Sequence, residues 1–185
     1  LVFAGNHDTN RINEIYDGDL DKYKLALTLV LTTRGTPQIY YGDEIGMRGN
    51  KAEGDGDIRR DFPGGWEGDA NNAFQEQGRT EVQNAYHSFT KKLLNFRKEK
   101  EVLQTGALLQ YIPENNVYVY FRHNATERVM VVINNNPEPQ ELDLNRYAEG
   151  IGGLKSGNEI LSGNQISMEG KLSVKGKTSL VVELN

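Results

Sequence analysis

The sequence has no cysteine, only three histidines and no long apolar run, and each shortage excludes a class of protein or site. Without cysteine there are no disulfides, no thiolate metal ligands and no cysteine nucleophile. Histidines placed far apart disfavour a metal site built from histidine alone. No stretch approaches the roughly 18 apolar residues that a membrane-spanning helix needs, so we expect no membrane partner.

The chain also lacks a long block of residues that all carry charge of the same sign. The chain carries 26 acidic and 21 basic residues, for a net charge of −5, and both signs are interspersed. The absence of a basic block disfavours nucleic acid as the main partner. Its 185 residues suffice for one domain or two small ones. The sequence opens on Leu1 without a targeting pattern, which predicts a chain cut from a longer protein.

Two short apolar segments, each followed by polar residues, flank a predicted helix near the start of the chain. Residues 1–4 precede the polar residues 6–8, and residues 38–41 precede the acidic residues 43–44. Apolar residues recur at helical spacing over 20–33. In parallel α/β folds, chemistry takes place at the carboxyl ends of strands, so we expect functional residues at these two strand ends.

The second half of the chain has a different periodicity. Thr80 and Gln83 form a capping-box pattern at the start of another helix, and after Leu103 the apolar residues alternate. The segments that read as strands, separated by turn residues, are Ala107–Ile112, Asn116–His123, Arg128–Asn134, Gln140–Leu144, Glu159–Leu161, Gln165–Glu169, Lys171–Val174 and Thr178–Leu184. This pattern predicts an antiparallel sandwich of about 80 residues.

Two motifs resemble the α-amylase family of glycoside hydrolases. Phe3-Ala4-Gly5-Asn6-His7-Asp8 resembles the family motif at barrel strand seven. Gly35-Thr36-Pro37-Gln38-Ile39-Tyr40-Tyr41-Gly42-Asp43-Glu44 resembles the strand-eight motif. The continuation, Ile45-Gly46-Met47 and then Asp57-Ile58-Arg59-Arg60-Asp61-Phe62-Pro63-Gly64-Gly65-Trp66, is similar to the cyclomaltodextrinase and neopullulanase branch, particularly its Bacteroides-type members.

The resemblance implies a fold of α/β plus all-β class. Residues 1–103 would be the last strands and helices of a (β/α)8 TIM barrel, and residues 104–185 a C-terminal antiparallel β-sandwich. A complete barrel takes about 200–250 residues. We therefore expect this chain to be the C-terminal portion of an enzyme, with the missing N-terminal part of the same enzyme as its partner.

The resemblance also implies roles for two residues at the first strand end. Asp8 matches the carboxylate that stabilises the positively charged, oxocarbenium-like transition state of glycoside hydrolysis. His7 matches a residue that hydrogen-bonds sugar hydroxyls where cleavage happens. A simple turn made by an Asn-His-Asp sequence is the alternative. The family's nucleophile and acid/base residue follow earlier strands and have no match here, so we expect the isolated chain to be inactive.

Further substrate contacts are expected after the second strand. Related enzymes hold a neighbouring glucose there with an Asp and an Arg, and Asp57 with Arg59 or Arg60 occupies that place. The planar fork of arginine donates hydrogen bonds in fixed geometry. The alternative is an internal salt bridge in a solvated loop. Trp66 either stacks on a glucose face or pins the loop to the barrel, and we expect Arg11 to fasten its loop.

By the same resemblance, the parent would be a retaining α-glucan hydrolase of starch degradation. It would cleave α-1,4-glucosidic bonds in cyclodextrins, pullulan or maltooligosaccharides, with transglycosylation as a variant. The alternative from another class is a non-catalytic carbohydrate-binding or assembly β-sandwich module. Exposed barrel faces would favour a homo-oligomer.

No cofactor and no metal site are expected from these motifs. The acidic run 53–57 resembles a cation loop, but it does not meet the EF-hand frame, so calcium is only a minor alternative. The resemblance favours the periplasm over the cytoplasm. The targeting segment itself would lie outside this chain.

Overall fold

The computed structural model describes all 185 residues, with helices in the first half and strands in the second. The α-helices are α1 (Ile12–Ile15), α2 (Leu20–Thr32), α3 (Asp55–Ile58), α4 (Glu81–Glu99), α5 (Glu101–Gln104) and α6 (Ala148–Ile151). Short 3-10 helices span Asp43–Ile45, Lys51–Glu53, Glu76–Gly78 and Leu144–Tyr147. The strands are β1 (Ala107–Gln110), β2 (Val117–His123), β3 (Arg128–Asn134), β4 (Gln140–Asp143), β5 (Ser156–Glu159), β6 (Gln165–Ser167), β7 (Lys171–Val174) and β8 (Thr178–Leu184). None of the helices combines the length and the apolarity needed to cross a bilayer.

Helix α2 has defined signals at both ends. The Asp19 carboxylate accepts hydrogen bonds from the backbone N–H groups of Asp21 and Lys22, which satisfies two otherwise unpaired donors. After the helix, Gly35 has a φ of +128°, and a Cβ there would lie 2.7 Å from the Val2 side chain. Glycine permits both this backbone conformation and the close approach, so the end of the helix returns the chain to Val2.

The segments at Val2 and Pro37, which precede and follow helix α2 in the chain, are neighbouring and parallel, as the sequence predicts. Val2 forms a parallel bridge with Pro37, and the Gln38 N–H donates to the Val2 carbonyl at 2.8 Å. The pairing is limited to this single bridge. The predicted strand 1–4 is reduced to Val2, and the predicted strand 38–41 is absent, because the bridge falls on Pro37, just before that range. Pro37 has no N–H to donate, and a parallel pair without further neighbours has little to extend its ladder.

Helix α4 begins as the capping-box pattern predicts. The Thr80 hydroxyl accepts from the Gln83 N–H at 3.2 Å, and the Gln83 side chain accepts from the Thr80 N–H at 2.9 Å. The helix packs against α2, where the Tyr23 hydroxyl lies 2.8 Å from the Thr90 hydroxyl in the buried interface. Their packing gives one helical layer that rests on the sheet.

The strands form an antiparallel sandwich, which confirms the predicted fold class. Six strands pair in the order β1-β2-β3-β8-β5-β6, and β4 pairs with β7 in a second sheet. Alternate residues of β2, β3 and β8 face opposite cores. One core, shared with α2 and α4, includes Leu27, Leu31, Phe96, Tyr120, Val131 and Val181. The other, shared with β4, β7 and α6, includes Phe121, Met130, Val132, Leu142, Leu172 and Val182.

One predicted strand is misplaced. The sequence suggests a strand over Glu159–Leu161, whereas β5 covers Ser156–Glu159 and the chain turns immediately afterwards. The Glu159 carboxylate accepts from the N–H groups of Leu161 and Ser162, at 3.0 and 2.6 Å, and so holds that turn. The other seven predicted strands are present, with ends shifted by at most two residues.

Two buried arginines join the helical layer to the rest of the chain at the C-terminal end of α2. Arg122, on β2, donates to the carbonyls of Thr32 and Thr33 at 3.0 and 2.8 Å. Arg97, on α4, donates to the carbonyl of Leu31 at 2.8 Å. The last carbonyls of a helix have no partner within it and carry partial negative charge. The two guanidinium groups therefore complete α2 and fix it against both neighbours.

Replacement of Arg122 tests this attachment. Arg122→Met leaves several buried carbonyls without donors, and we expect the free energy of unfolding to fall by about 3 kcal/mol. Urea unfolding followed by circular dichroism measures the change. Arg34→Met, at an exposed position nearby, is the matched control and should be close to neutral. Equal stability of the two variants would contradict this role for Arg122.

Candidate active site

Asp8 lies in a tight turn directly after the Val2–Pro37 bridge. In this first loop (residues 5–11), the Asn6 side chain accepts from the Asp8 N–H at 2.8 Å, and the Asn6 N–H donates to the Thr9 hydroxyl at 3.0 Å. Such a side-chain turn is a common use of asparagine. Asn6 therefore shapes the turn, and the neighbouring His7 and Asp8 side chains remain more than half exposed.

Asp8 is oriented by an arginine from the second loop, which we define as residues 42–60. Arg59 Nη2 donates to Asp8 Oδ1 at 2.9 Å, and its Nε donates to the His7 carbonyl at 2.9 Å. His7 Nε2 lies 3.1 Å from the other carboxylate oxygen, Asp8 Oδ2. The structure thus brings together three of the residues that the sequence singled out. The Asp8 side chain is 60% exposed and stays accessible from solvent.

Charges of both signs surround Arg59. Its Nη2 also lies 3.0 Å from Asp55 Oδ2, and Lys51 pairs with the same Asp55 carboxylate. The hydrogen bond from Lys51 is the main reason why the pKa of Asp55 is lowered, with Arg59 adding to it. The Asp55 carboxylate is therefore matched by two bases. No group of three or more His, Asp or Glu side chains is arranged to hold a metal ion.

Asp57 and Arg60 form a separate pair within the second loop. Arg60 Nη2 donates to Asp57, and the Asn50 N–H donates to Asp57 Oδ2 at 2.6 Å. The Asn50 hydrogen bond first, and then Arg60, lower the pKa of Asp57. The Arg60 carbonyl accepts from the Tyr41 hydroxyl at 2.8 Å. This pair braces its own loop, whereas Arg59 reaches Asp8. Sugar binding by any of these side chains stays a prediction.

Backbone contacts hold the two loops together. The Arg11 N–H donates to the Gly49 carbonyl at 3.0 Å, and the Lys51 N–H donates to the Asn10 side chain at 2.6 Å. A Cβ at Gly49 would lie 2.6 Å from the Asp57 carbonyl oxygen, so only glycine fits at this crossing. The relative position of Asp8 and Arg59 is therefore set by the surrounding main chain as well as by their own ion pair.

The Arg11 side chain is fully buried, which agrees with its expected role of fastening its own loop, and it also contacts the end of the second parallel segment. Its Nη1 donates to the Tyr41 carbonyl at 2.6 Å and lies 3.6 Å from Asp43 Oδ1. The guanidinium carbon is 4.5 Å from the ring centre of Tyr40 and 4.9 Å from that of Tyr41. A cation over aromatic rings in a dry site is strongly held. The guanidinium therefore connects the first loop to the end of the second parallel segment.

Asp43 lies at the second strand end, where the sequence predicts functional residues, but it was given no role and nothing in the local pattern reveals its burial. Burial raises its pKa to about 7, against the opposing attraction of Arg11, and the neighbouring Glu44 raises it further. The Asp43 N–H also donates to the Tyr40 carbonyl, which fixes the turn. A carboxyl group with this pKa changes its charge near neutral pH.

The raised pKa of Asp43 predicts a pH-dependent stability. Between about pH 4 and pH 7 the unfolded chain has released this proton while the folded chain keeps it. The free energy of unfolding therefore falls as the pH rises, by at most about 1.4 kcal/mol per pH unit, and the loss ends above pH 7. Asp43→Asn should remove this slope in urea-unfolding measurements.

Asp61→Asn, at an exposed acid of the neighbouring segment, is the control and should keep the slope. If the parent chain and Asp43→Asn showed parallel stability curves from pH 4 to pH 7, Asp43 would not be the group responsible.

Comparison with known protein families gives two matches. Residues 1–83 match the family described as alpha amylase, catalytic domain. Residues 108–183 match the family described as cyclo-malto-dextrinase C-terminal domain. The first match contains both loops of the candidate site, and the second contains nearly the whole sandwich. The order of the two matches is the order that the sequence predicts.

Individual relatives agree with these families. The cyclomaltodextrinase of Thermoanaerobacter pseudethanolicus is 33% identical over 141 residues, which are 76% of this chain and 22% of that protein. Neopullulanase 2 of Thermoactinomyces vulgaris is 35% identical over 137 residues, 73% of this chain and 21% of that protein. The crystal structure of the α-amylase GTA from Geobacillus thermoleovorans, complexed with acarbose, superposes with a TM-score of 0.76.

That superposition covers 99% of this chain and 38% of the α-amylase, at 23% identity, and it shows the shared fold. The chain spans about a fifth of the length of the cyclomaltodextrinase and the neopullulanase. The two family matches, the named relatives and the parallel pairing of the segments at Val2 and Pro37 agree with one another. The chain belongs to the α-amylase family of glycoside hydrolases, in its cyclomaltodextrinase and neopullulanase branch.

Proposed function

We propose that this chain is the C-terminal part of a retaining α-glucan hydrolase. Its substrates would be cyclodextrins, pullulan or maltooligosaccharides, cleaved at α-1,4-glucosidic bonds. The observation that carries this proposal is the position of Asp8, exposed beside the first of two adjacent parallel segments and oriented by Arg59 from the loop after the second. The names of the relatives, cyclomaltodextrinase and neopullulanase, support this class of substrate.

In the proposed reaction, Asp8 acts by its negative charge. Breaking a glycosidic bond leaves positive charge on the sugar ring, and a fixed carboxylate close to that ring lowers the energy of the transition state. Arg59 holds one oxygen of Asp8 at 2.9 Å, so the carboxylate is positioned before the sugar arrives. The His7 ring lies against the other oxygen and would donate to a sugar hydroxyl from the same side.

The proposed reaction needs two more carboxyl groups. A retaining enzyme uses a nucleophile and an acid/base group about 5–5.5 Å apart. We assign neither role to a residue of this chain, because the family motifs that carry these two groups follow earlier barrel strands and have no match in this sequence. The remaining barrel strands of the same enzyme would supply them, which makes that N-terminal part the obligatory partner.

The alternative of a carbohydrate-binding sandwich has less support. Such a module needs a surface strip of aromatic side chains. Tyr120 and Phe121 are fully buried, and the Tyr111 ring packs against Phe121 and Tyr147. These rings fill the cores of the sandwich and are not presented to a ligand. The expected periplasmic location and the expected lack of a cofactor stay predictions.

A chimaera tests the proposed function directly. The corresponding C-terminal part of the Thermoanaerobacter pseudethanolicus cyclomaltodextrinase is replaced by this chain, and cyclodextrin hydrolysis is measured. We expect an active enzyme in which Asp8→Asn lowers kcat by about 10³-fold with little change in KM, because the lost charge acts mainly on the transition state.

Asp61→Asn, at an exposed acid in the segment after Arg60, is the matched control and should retain full activity. Two results would count against the proposal. One is a folded chimaera without activity. The other is an Asp8→Asn variant whose kcat stays within about tenfold of the unmutated chimaera.

A further inference from the structure

Tyr41 lies directly before the second loop and connects the two ends of that loop. Its carbonyl accepts from Arg11 Nη1 at 2.6 Å, and its hydroxyl donates to the Arg60 carbonyl at 2.8 Å. The first contact fixes Tyr41 to the buried guanidinium. The second reaches the last residue of the second loop, 19 positions further along the chain. One residue therefore closes the second loop across its base.

The start of the second loop has a defined conformation. The Met47 N–H donates to the Gly42 carbonyl at 2.9 Å, and Gly42 has a φ of +85°. A Cβ at position 42 would collide with the Met47 sulfur, so this tight turn requires glycine. The main chain at Tyr41 is thus held by the turn that follows it and by Arg11.

The Tyr41 ring has supports of its own, which direct its hydroxyl. The ring packs edge-on against the Tyr40 ring, with 4.7 Å between the centroids and an angle of 68° between the planes. The Arg11 guanidinium carbon lies 4.9 Å from the Tyr41 ring centre. Edge-to-face rings and a cation over a ring are both favourable arrangements. All of these contacts are made within this chain, and none requires the ring to be exposed.

The residue that Tyr41 holds is adjacent to the residue that orients Asp8. Arg59 Nη2 donates to Asp8 Oδ1, and its Nε donates to the His7 carbonyl, both at 2.9 Å. The peptide unit is planar, so a fixed carbonyl at Arg60 limits the movement of the main chain immediately after Arg59. Guanidinium hydrogen bonds are directional. The position of this main chain therefore decides whether the Arg59 side chain meets Asp8.

A second carboxylate competes for Arg59. Its Nη2 lies 3.0 Å from Asp55 Oδ2, as well as 2.9 Å from Asp8 Oδ1. Asp55 belongs to the same loop as Arg59, so that pair can persist when the loop moves, whereas the pair with Asp8 requires one placement of the loop. Closing a loop costs conformational entropy. A fixed hydrogen bond across the loop base thus raises the fraction of molecules in which Arg59 reaches Asp8.

We propose that Tyr41 is a positioning residue for the proposed reaction, because its hydroxyl holds the end of the second loop where Arg59 can orient Asp8. This inference rests on the proposed function and adds a residue to the same site. Tyr41 needs no contact with the sugar in this role. Its effect reaches the transition state through the charge of Asp8, so substrate binding in the ground state should not change.

Removal of the hydroxyl group alone tests this role in the 185-residue chain. Tyr41→Phe keeps the ring and deletes the hydrogen bond to Arg60. The side-chain Nε–H of Arg59, which donates to the His7 carbonyl, is followed by NMR. We expect its exchange with water to be about fivefold faster in Tyr41→Phe, the factor that loss of one ordinary hydrogen bond gives.

Tyr118→Phe is the matched control, because it deletes a hydroxyl that donates to the Gln110 side chain within the sandwich. The exchange of the Arg59 Nε–H should be the same in this variant as in the parent chain. Equal exchange rates in the parent chain and in Tyr41→Phe would overturn the inference, whatever the chain catalyses.

The chimaera then connects this contact with catalysis. Tyr41→Phe should lower kcat for cyclodextrin hydrolysis by about fivefold at unchanged KM, and Tyr118→Phe should change neither. Since Tyr41 acts through Arg59, the same substitution should have no further effect in a chimaera that carries Arg59→Met. This non-additivity distinguishes positioning of Arg59 from a general loss of stability.

Two kinetic results would overturn the inference while leaving the proposed function intact. One is a raised KM at unchanged kcat in Tyr41→Phe, which would make the hydroxyl a direct sugar contact. The other is a full additional loss of kcat in the Arg59→Met background. A folded but inactive chimaera would count against the proposed function instead, and the exchange of the Arg59 proton would still decide the role of Tyr41.

Discussion

The buried guanidinium of Arg11 is the contact on which the rest of the candidate site depends. It lies beneath the two loops, donates to the Tyr41 carbonyl and faces the rings of Tyr40 and Tyr41. The Arg11 N–H crosses to the second loop at Gly49. A buried charge is costly unless it is matched by partners, so these groups are constrained to one arrangement. Asp8 and Arg59 meet because this arrangement leaves the two loops side by side.

The site is supported by the sandwich through helix α2. Arg122 on β2 and Arg97 on α4 hold the C-terminal carbonyls of that helix, and the chain returns from there to Val2 and Pro37. The path from the sheet to the loops thus consists of packed helices and short connections. This explains in physical terms why the sandwich accompanies the last barrel elements: it covers one face of the helical layer that positions the two loops.

The arginines of the site have different roles because their side chains differ in solvent exposure. Arg11 is fully buried and acts on the framework, while Arg59 is partly exposed and acts on the carboxylate of Asp8. Arg60 pairs with Asp57 and braces the second loop. Side chains of one type thus have different roles a few residues apart, because burial decides whether a guanidinium can meet a ligand.

Much of this architecture could be predicted from the sequence, since its signals are local. The capping box at Thr80 and the alternation in β3, β7 and β8 gave the correct elements, and the two motifs gave the residues around Asp8. The position of β5 could not be predicted, because the strand ends at a turn in which the Glu159 carboxylate accepts a hydrogen bond from the main chain of Leu161. The burial of Asp43 was also missed, because it depends on Arg11, which is 32 residues away in the sequence. Long-range packing leaves no periodic pattern.

Hydrogen exchange of the chain with Arg11→Met measures the central claim most directly. If Arg11 holds the two loops together, amides of both loops, including those of position 11 and Lys51, lose protection in parallel while the amides of β3 and β8 keep theirs. Unchanged protection in the loops, or loss in the first loop alone, would contradict the account.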